Sequence, residues 1–94
     1  MRIKYADLAR EDLEDIFAFT AERWNRSQAR TYLRAIQAHV AQLAVGQGHS
    51  RPIPERPNIL QSRIQSHYVI FTRDEISLKV RRVLHVRMDT LAHI

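Results

Sequence analysis

The stretch RRVLHVRMD, residues 81–89, combines three arginines and a histidine with the alternating aliphatic residues of a β-strand. Arginine guanidinium groups bind carboxylates and phosphates through paired hydrogen bonds, and histidine can carry a proton near neutral pH. The stretch could therefore serve acid–base chemistry on a phosphodiester, contact nucleic acid, or dock an acidic polypeptide. Arg63, in a preceding strand pattern, could join Arg81, Arg82 and Arg87, because adjacent strands gather side chains of one face into one patch.

His85 is the candidate proton carrier of this group, and Arg87 is the candidate cation beside it. A lone histidine among aliphatic strand residues is more often a hydrogen-bonded structural residue than a catalyst. We therefore predict no catalytic residue, and His85 and Arg87 stand as catalytic candidates only for a nuclease alternative. The five histidines include no i, i+4 pair and no zinc-protease spacing, so the sequence indicates no metal site, and we expect no cofactor.

Length and charge restrict the classes of protein that this chain can belong to. Ninety-four residues suffice for one domain, residues 1–94, and the chain contains no cysteine that could form a disulfide or a thiolate site. No apolar run reaches membrane-spanning length and the N-terminus does not resemble a signal peptide, so we expect a cytoplasmic protein. The net charge is +5, and thirteen of the fifteen cations are arginine, which favours recognition of acidic groups.

Hydrophobic spacing predicts the elements that hold these residues. The segment MRIKY alternates as a short strand, after which Asp7 can cap a helix. Apolar residues then follow one helical face up to Trp24, and a second periodic run, capped at Ser27, ends at Gly46. The short break between the two runs predicts an antiparallel helical hairpin. The apolar stripe of the first helix comprises Leu13, Ile16, Phe17, Thr20 and Trp24.

The second half of the chain has the pattern of a small β-meander. All three prolines and both glycines fall in GQGHSRPIPERPN, which predicts a loop over residues 46–58. Strand patterns follow at 59–64, 67–73 and 76–86, and MDTLAHI should close the chain as a turn of helix or a docked tail. Arg82 breaks the alternation of the last strand; of a bulge and a snorkelling side chain at the sheet margin, we favour the second.

The fold class predicted from these elements is α+β. An N-terminal strand and an antiparallel helical hairpin should pack on a small antiparallel sheet of about four strands. Four segments of this pattern resemble the RelE/ParE superfamily of bacterial toxins, and its ParE branch in particular. They are DLEDIFAFTAERW at 12–24, QARTYL at 28–33, SHYVIF at 66–71 and VLHVRMD at 83–89.

The resemblance covers essentially the whole chain and implies a function. It implies the toxin of a type II toxin-antitoxin module, which inhibits DNA gyrase and is neutralised by a ParD-like antitoxin. Two alternatives stay open: a RelE-like, ribosome-dependent mRNA endonuclease, and a family member that binds antitoxin but has lost toxicity. Against the endonuclease, MDTLAHI contains none of the C-terminal tyrosine or basic residues of the RelE pattern.

Antitoxins of this family are implied to be acidic, amphipathic segments that fold on the toxin. We therefore interpret the cations as a surface that recognises protein. The predicted partner-binding residues are Arg63, Arg81, Arg82, Arg87 and Trp24. Nucleic-acid binding is disfavoured because the exposed faces lack stacking aromatics and the first helix is acidic, so we expect no direct, sequence-specific DNA binding.

Overall fold

Helix α1, Asp7–Arg23, forms over a segment without glycine or proline and places one apolar face on the core. The computed structural model describes all residues from 1 to 94. Leu13 and Ile16 pack against the buried cluster as predicted. Asp7 is the first helical residue rather than the cap, since Ala6 holds the N-cap position without a side-chain hydrogen bond. Asp7 still lies where the helix dipole favours negative charge.

Helix α2, Arg26–Ala44, folds back along α1 after a break of two residues. Its cap is Asn25, whose side-chain oxygen accepts the backbone N–H of Gln28 at 2.8 Å, so the predicted cap at Ser27 was wrong. Asn25 precedes the helix in extended conformation, which lets its carboxamide turn back onto the first turn. The predicted end is confirmed, because Gly46 adopts a φ of 78° just after the helix, a backbone conformation that glycine favours.

The sheet has five strands in the order β1-β5-β4-β3-β2, one more than predicted. They are β1 Arg2–Tyr5, β2 Arg51–Ile53, β3 Arg56–Ile64, β4 His67–Arg73 and β5 Ser77–His85. Strands β3, β4 and β5 form the predicted antiparallel meander, and β1 lies parallel to β5. The extra strand, β2, lies inside the predicted loop. Its Pro52 is tolerated because β2 is an edge strand and needs donors on one side only.

A register shift in β5 explains the broken alternation around Arg82. In β4, Ile70 pairs with Arg82 and the next residue, Phe71, pairs with Val80. Arg81 therefore has no partner in β4 and is the extra residue of a β-bulge. After the bulge, odd-numbered residues of β5 lie on the face of the sheet that even-numbered residues occupied before it. Val80 and Val83 therefore both face the helices, and the favoured interpretation of a snorkelling arginine in a regular strand was wrong.

Apolar side chains are buried on both faces of the sheet. The helix side of the sheet contributes Val69, Phe71, Leu78, Val80 and Val83 to the main core with α1 and α2. The opposite face, which we call the helix-free face, buries a smaller cluster of Ile53, Ile59, Ile70 and Leu84. Ile94 packs on this second cluster, directly after a C-terminal 3-10 helix at Thr90–His93. The prediction of a helical turn at the C-terminus is confirmed.

Asp12 and Arg82 form a clasp between α1 and β5. The guanidinium donates from Nε to Oδ2 at 2.8 Å and from Nη2 to Oδ1 at 2.9 Å, and the same Oδ2 accepts the backbone N–H of Val83. The remaining nitrogen, Nη1, donates to the carbonyl of His93 at 2.9 Å. Beyond Val80, β5 no longer pairs with β1, and the carboxylate of Asp12 takes over as acceptor at that edge.

Replacing Asp12 with alanine should destabilise the protein by about 2–3 kcal/mol, because a mostly buried guanidinium and a strand N–H both lose a charged acceptor. Urea unfolding monitored by circular dichroism measures the change. Glu11→Ala removes a neighbouring exposed acid and should alter the free energy of unfolding by less than about 0.5 kcal/mol. Equal stabilities of the two variants would mean that the clasp contributes nothing.

Candidate partner-binding site

A cleft of about 720 Å³ opens between the tip of the helical hairpin and the turn from β3 to β4. We call it the hairpin cleft. Trp24 and Phe19 form one rim, and the two side chains are 64% and 66% exposed. The prediction that Trp24 belongs to the apolar stripe of α1 was therefore wrong, because Trp24 is the C-cap of that helix and is mostly exposed. Residues lining the cleft include Phe19, Arg23, Trp24, Tyr32, His67 and His85.

The floor of the hairpin cleft is a chain of three polar rings. The hydroxyl of Tyr32 lies 2.6 Å from Nδ1 of His67, and the rings of His67 and His85 meet edge to face with centroids 5.3 Å apart. Burial, together with the neighbouring His85, lowers the pKa of His67 to about 4. Burial raises the pKa of the Tyr32 hydroxyl. Near neutral pH, Tyr32 is therefore protonated and His67 is neutral.

The backbone just after β5 holds the ring of His85 in place. Its Nδ1 accepts the backbone N–H of Arg87 at 3.1 Å, which leaves Nε2 to carry the proton in the neutral ring. His67 and His85 stand opposite each other in the register of β4 and β5, so strand pairing brings the two rings together. Both rings have structural contacts that account for their positions.

The four candidate arginines do not share one patch. Arg63 lies on the helix-free face, because the adjacent Ser62 points to α2 and bonds His39 at 2.8 Å. Arg87 is exposed in the turn after β5. Arg81 sits in the bulge, where it lines a small depression of about 240 Å³ together with Lys79. The guanidinium of Arg82 bonds inside the molecule to Asp12 and His93, and its side chain is only 16% exposed.

Sequence reasoning missed two residues at the rim of the hairpin cleft. Phe19 falls outside the apolar stripe of α1, next to Thr20, and this offset was a signal that the ring faces solvent. Arg23 gave no comparable signal, since a basic residue in the last turn of a helix is ordinary. Nothing in the sequence spacing indicated that Tyr32 would reach His67, because 35 residues separate them.

No three side chains among the histidines, aspartates and glutamates come together in an arrangement that could hold a metal ion. Neither α1 nor α2 combines the length and apolar character that crossing a bilayer would require.

The fold is thus an α+β domain in which a helical hairpin covers one face of a small, mostly antiparallel sheet. Residues 3–90 match the family of ParE toxins of type II toxin-antitoxin systems of the parDE kind. The match spans nearly the whole chain, so the protein belongs to the ParE toxin family.

Curated relatives agree with this assignment. The chain is 30% identical to Toxin ParE1 of Caulobacter vibrioides over 92% of its length and 90% of that protein. It is 31% identical to Toxin ParE of Escherichia coli over 92% of its length and 85% of that protein. A chain in the solved structure of a chromosomal ParDE toxin-antitoxin system from P. aeruginosa superposes with a TM-score of 0.80 and 21% identity, over 93% of this chain and 97% of that chain. That structure supports the fold.

His67 should make the stability of the protein depend on pH. Its folded pKa of about 4 lies below the value of roughly 6.5 in the unfolded chain, so the unfolded state binds more protons between these limits. The free energy of unfolding should therefore be highest above about pH 6.5. It should fall by about 2 kcal/mol as the pH drops to 4, a value already reduced because the ring of His67 is partly exposed. Urea midpoints measured across this range test the effect.

The matched variant is His67→Gln, which keeps a hydrogen-bonding group for Tyr32 but cannot titrate. Its stability should vary less over the same range. His39, whose pKa burial also lowers, is present in both proteins and cancels from the difference. Parallel pH curves for the two proteins would contradict the assigned role of His67.

Proposed function

We propose that this ParE-family toxin inhibits DNA gyrase and that a ParD-like antitoxin neutralises it by binding the hairpin cleft and the cations around it. The observation that carries the proposal is the open cleft with Trp24 and Phe19 on its rim. Two large aromatic side chains left mostly in water favour association with another polypeptide, because covering them releases apolar surface from water. The names of the curated relatives support the toxin class.

The hairpin cleft suits an apolar side chain carried by an acidic, amphipathic segment. Its volume of about 720 Å³ exceeds that of a single side chain, so a helical segment could insert more than one anchor. Arg23 stands at the same rim and could pair with an acidic residue of that segment. Such a segment would cover the aromatic rim and at the same time neutralise the charge of Arg23.

Three of the four arginines from the sequence prediction stay in the proposed partner surface. Arg63, Arg81 and Arg87 make no ion pair within the chain and can meet acidic groups of a partner. They lie on different sides of the sheet, so a partner that reaches all three must wrap around the toxin. Arg82 is left out, because its donors are bonded to Asp12 and to the carbonyl of His93.

Trp24→Ala should weaken antitoxin binding about 30-fold or more, since buried aromatic anchors contribute about 2 kcal/mol or more to such interfaces. The antitoxin is taken from the reading frame beside the gene, and isothermal titration calorimetry measures the dissociation constant. Ile76→Ala is the matched control, because Ile76 is 72% exposed in the turn between β4 and β5, away from the cleft. Similar affinities of the two variants would contradict a binding role for the cleft.

We infer a target inhibited by binding rather than by catalysis. A ribonuclease of this size would need cations and a proton carrier around one scissile phosphate. Arg63 lies on the helix-free face, whereas His85 opens into the hairpin cleft on the helix side. His67, with its pKa of about 4, is neutral near pH 7 and cannot act there as a general acid. Arg63 is thus separated from the nuclease candidates His85 and Arg87, which lie two residues apart at the end of β5.

Purified toxin should reduce DNA supercoiling by gyrase, and an excess of antitoxin should restore it. Agarose gels of plasmid topoisomers measure both effects, and cleaved plasmid would mark a trapped gyrase–DNA complex. His85→Ala and Arg87→Ala should leave this inhibition within a few-fold of the unmodified toxin.

Two results would point to the other functions. Cleavage of ribosome-bound mRNA that His85→Ala abolishes, with gyrase unaffected, would establish the endonuclease alternative. Unaffected gyrase together with normal growth of cells that express the toxin without antitoxin would indicate an antitoxin-binding protein that has lost toxicity.

A further inference from the structure

Helix α2 presents a stripe of arginines that the proposed antitoxin site does not use. Arg26, Arg30 and Arg34 follow one another at intervals of four residues and are all exposed. We call them the arginine stripe. Four residues make slightly more than one helical turn, so these side chains lie on one side of the helix over about 12 Å of its length.

The arginine stripe breaks two local rules of helix stability. Like charges at i, i+4 repel, and the stripe contains two such pairs, each costing about 0.2–0.5 kcal/mol. Arg26 is the first helical residue, where the dipole favours an anion, and α2 has no acidic residue in its first turn. Local costs without a local gain are expected where a sequence has been shaped for binding.

Nothing within the chain neutralises the stripe. The one ion pair of the protein is the Asp12–Arg82 clasp, so Arg26, Arg30 and Arg34 have no acidic partner. Glu22 is the only acid between Asp15 and Glu55, a segment that holds five arginines. Arg26 additionally lies over the ring of Phe17, with its guanidinium carbon 5.9 Å from the centroid, which fixes one end of the stripe.

The surroundings of the stripe favour phosphates over protein. Protein interfaces rely on buried aromatic or aliphatic anchors. No large hydrophobic side chain is exposed anywhere on α2, and the outward positions next to the stripe are Gln37, Ala38 and Ala41. Phosphate recognition needs only cations and neutral donors, and one DNA strand presents about four phosphates over 12 Å of helix axis.

We propose that the arginine stripe binds the phosphate backbone of double-stranded DNA, without sequence preference. The contact deepens the proposed inhibition of gyrase, on which its biological role rests: the toxin would hold the DNA segment that gyrase carries while its cleft side contacts protein. Backbone binding of this kind agrees with the prediction that the protein reads no DNA sequence, but it departs from the broader prediction that nucleic-acid binding is disfavoured.

The test measures binding of the toxin to a labelled DNA duplex of about 20 base pairs and arbitrary sequence. Fluorescence anisotropy at several salt concentrations gives the affinity. Three phosphate contacts predict a loss of roughly 40-fold in affinity between about 50 and 200 mM salt. The variant Arg26→Gln/Arg30→Gln/Arg34→Gln should bind more weakly, and its salt slope should be smaller by about 3. A duplex of different sequence should bind equally well.

The matched control removes the same charge elsewhere. Arg51→Gln/Arg56→Gln/Arg73→Gln changes three exposed cations of β2, β3 and β4. It should retain most of the salt slope of the unmodified protein. Circular dichroism and thermal unfolding of both variants verify that each is folded.

Three outcomes would overturn the inference. They are no binding to DNA at low salt, equal losses in the two variants, and tighter binding of poly-glutamate than of DNA under the same conditions. The last would identify an acidic polypeptide as the ligand.

Gyrase assays separate this inference from the proposed function. If the unmodified toxin inhibits supercoiling but does not bind DNA, and the triple Arg→Gln variant of α2 inhibits equally well, the inference fails and the proposed function survives. If DNA binds through the stripe but gyrase is unaffected by the unmodified toxin, the proposed function fails and the DNA contact remains.

Discussion

The carboxylate of Asp12 links the helix layer to the sheet at the edge of β5. It accepts two hydrogen bonds from Arg82 and one from the backbone of Val83, just where β1 stops pairing with β5. Without it, the strand would expose an unpaired N–H and the guanidinium would lie mostly buried without an anion, and both are costly. Because Arg82 also bonds the carbonyl of His93, the same contact fixes the C-terminal 3-10 helix over the helix-free face.

The bulge at Arg81 decides which side chains of β5 can act together. It turns Val83 and His85 to the helix side, so His85 meets His67 and closes the floor of the hairpin cleft. In an unbulged strand these two residues would point to the helix-free face, and the cleft would lack that floor. A single inserted residue thus separates the histidines of the cleft from Arg63 on the other face of the sheet.

The molecule carries its charges in separate regions. Acids crowd the first turns of α1 and stand beside the C-terminal half of α2, whereas the hairpin tip carries Arg23 and the arginine stripe. Exposed aromatic rings occur at the tip as well, on the side of the cleft. The tip therefore offers an apolar contact on one side and a cationic contact on the other, which suits a small toxin proposed to engage an enzyme while that enzyme holds DNA.

Regular periodicity determined much of this structure in advance. The helices, the meander from β3 to β5 and the end of α2 at Gly46 follow from local spacing and turn chemistry, and the ParE resemblance follows from segments that lie on those elements. The cap of α2 was misplaced by two residues, because Asn25 and Ser27 have equally suitable side chains and only the backbone geometry at Asn25 selects one of them.

Contacts between distant segments were decided by tertiary structure alone. Strand β2 forms because its backbone pairs with β3, although β2 contains Pro52, a residue that favoured the prediction of a loop. The internal role of Arg82 depends on Asp12, 70 residues earlier in the chain, and Trp24 is exposed because α1 ends just before it. Sequence fixes the side chains and the local backbone preferences, but pairing between remote segments depends on register and packing, which no local pattern encodes.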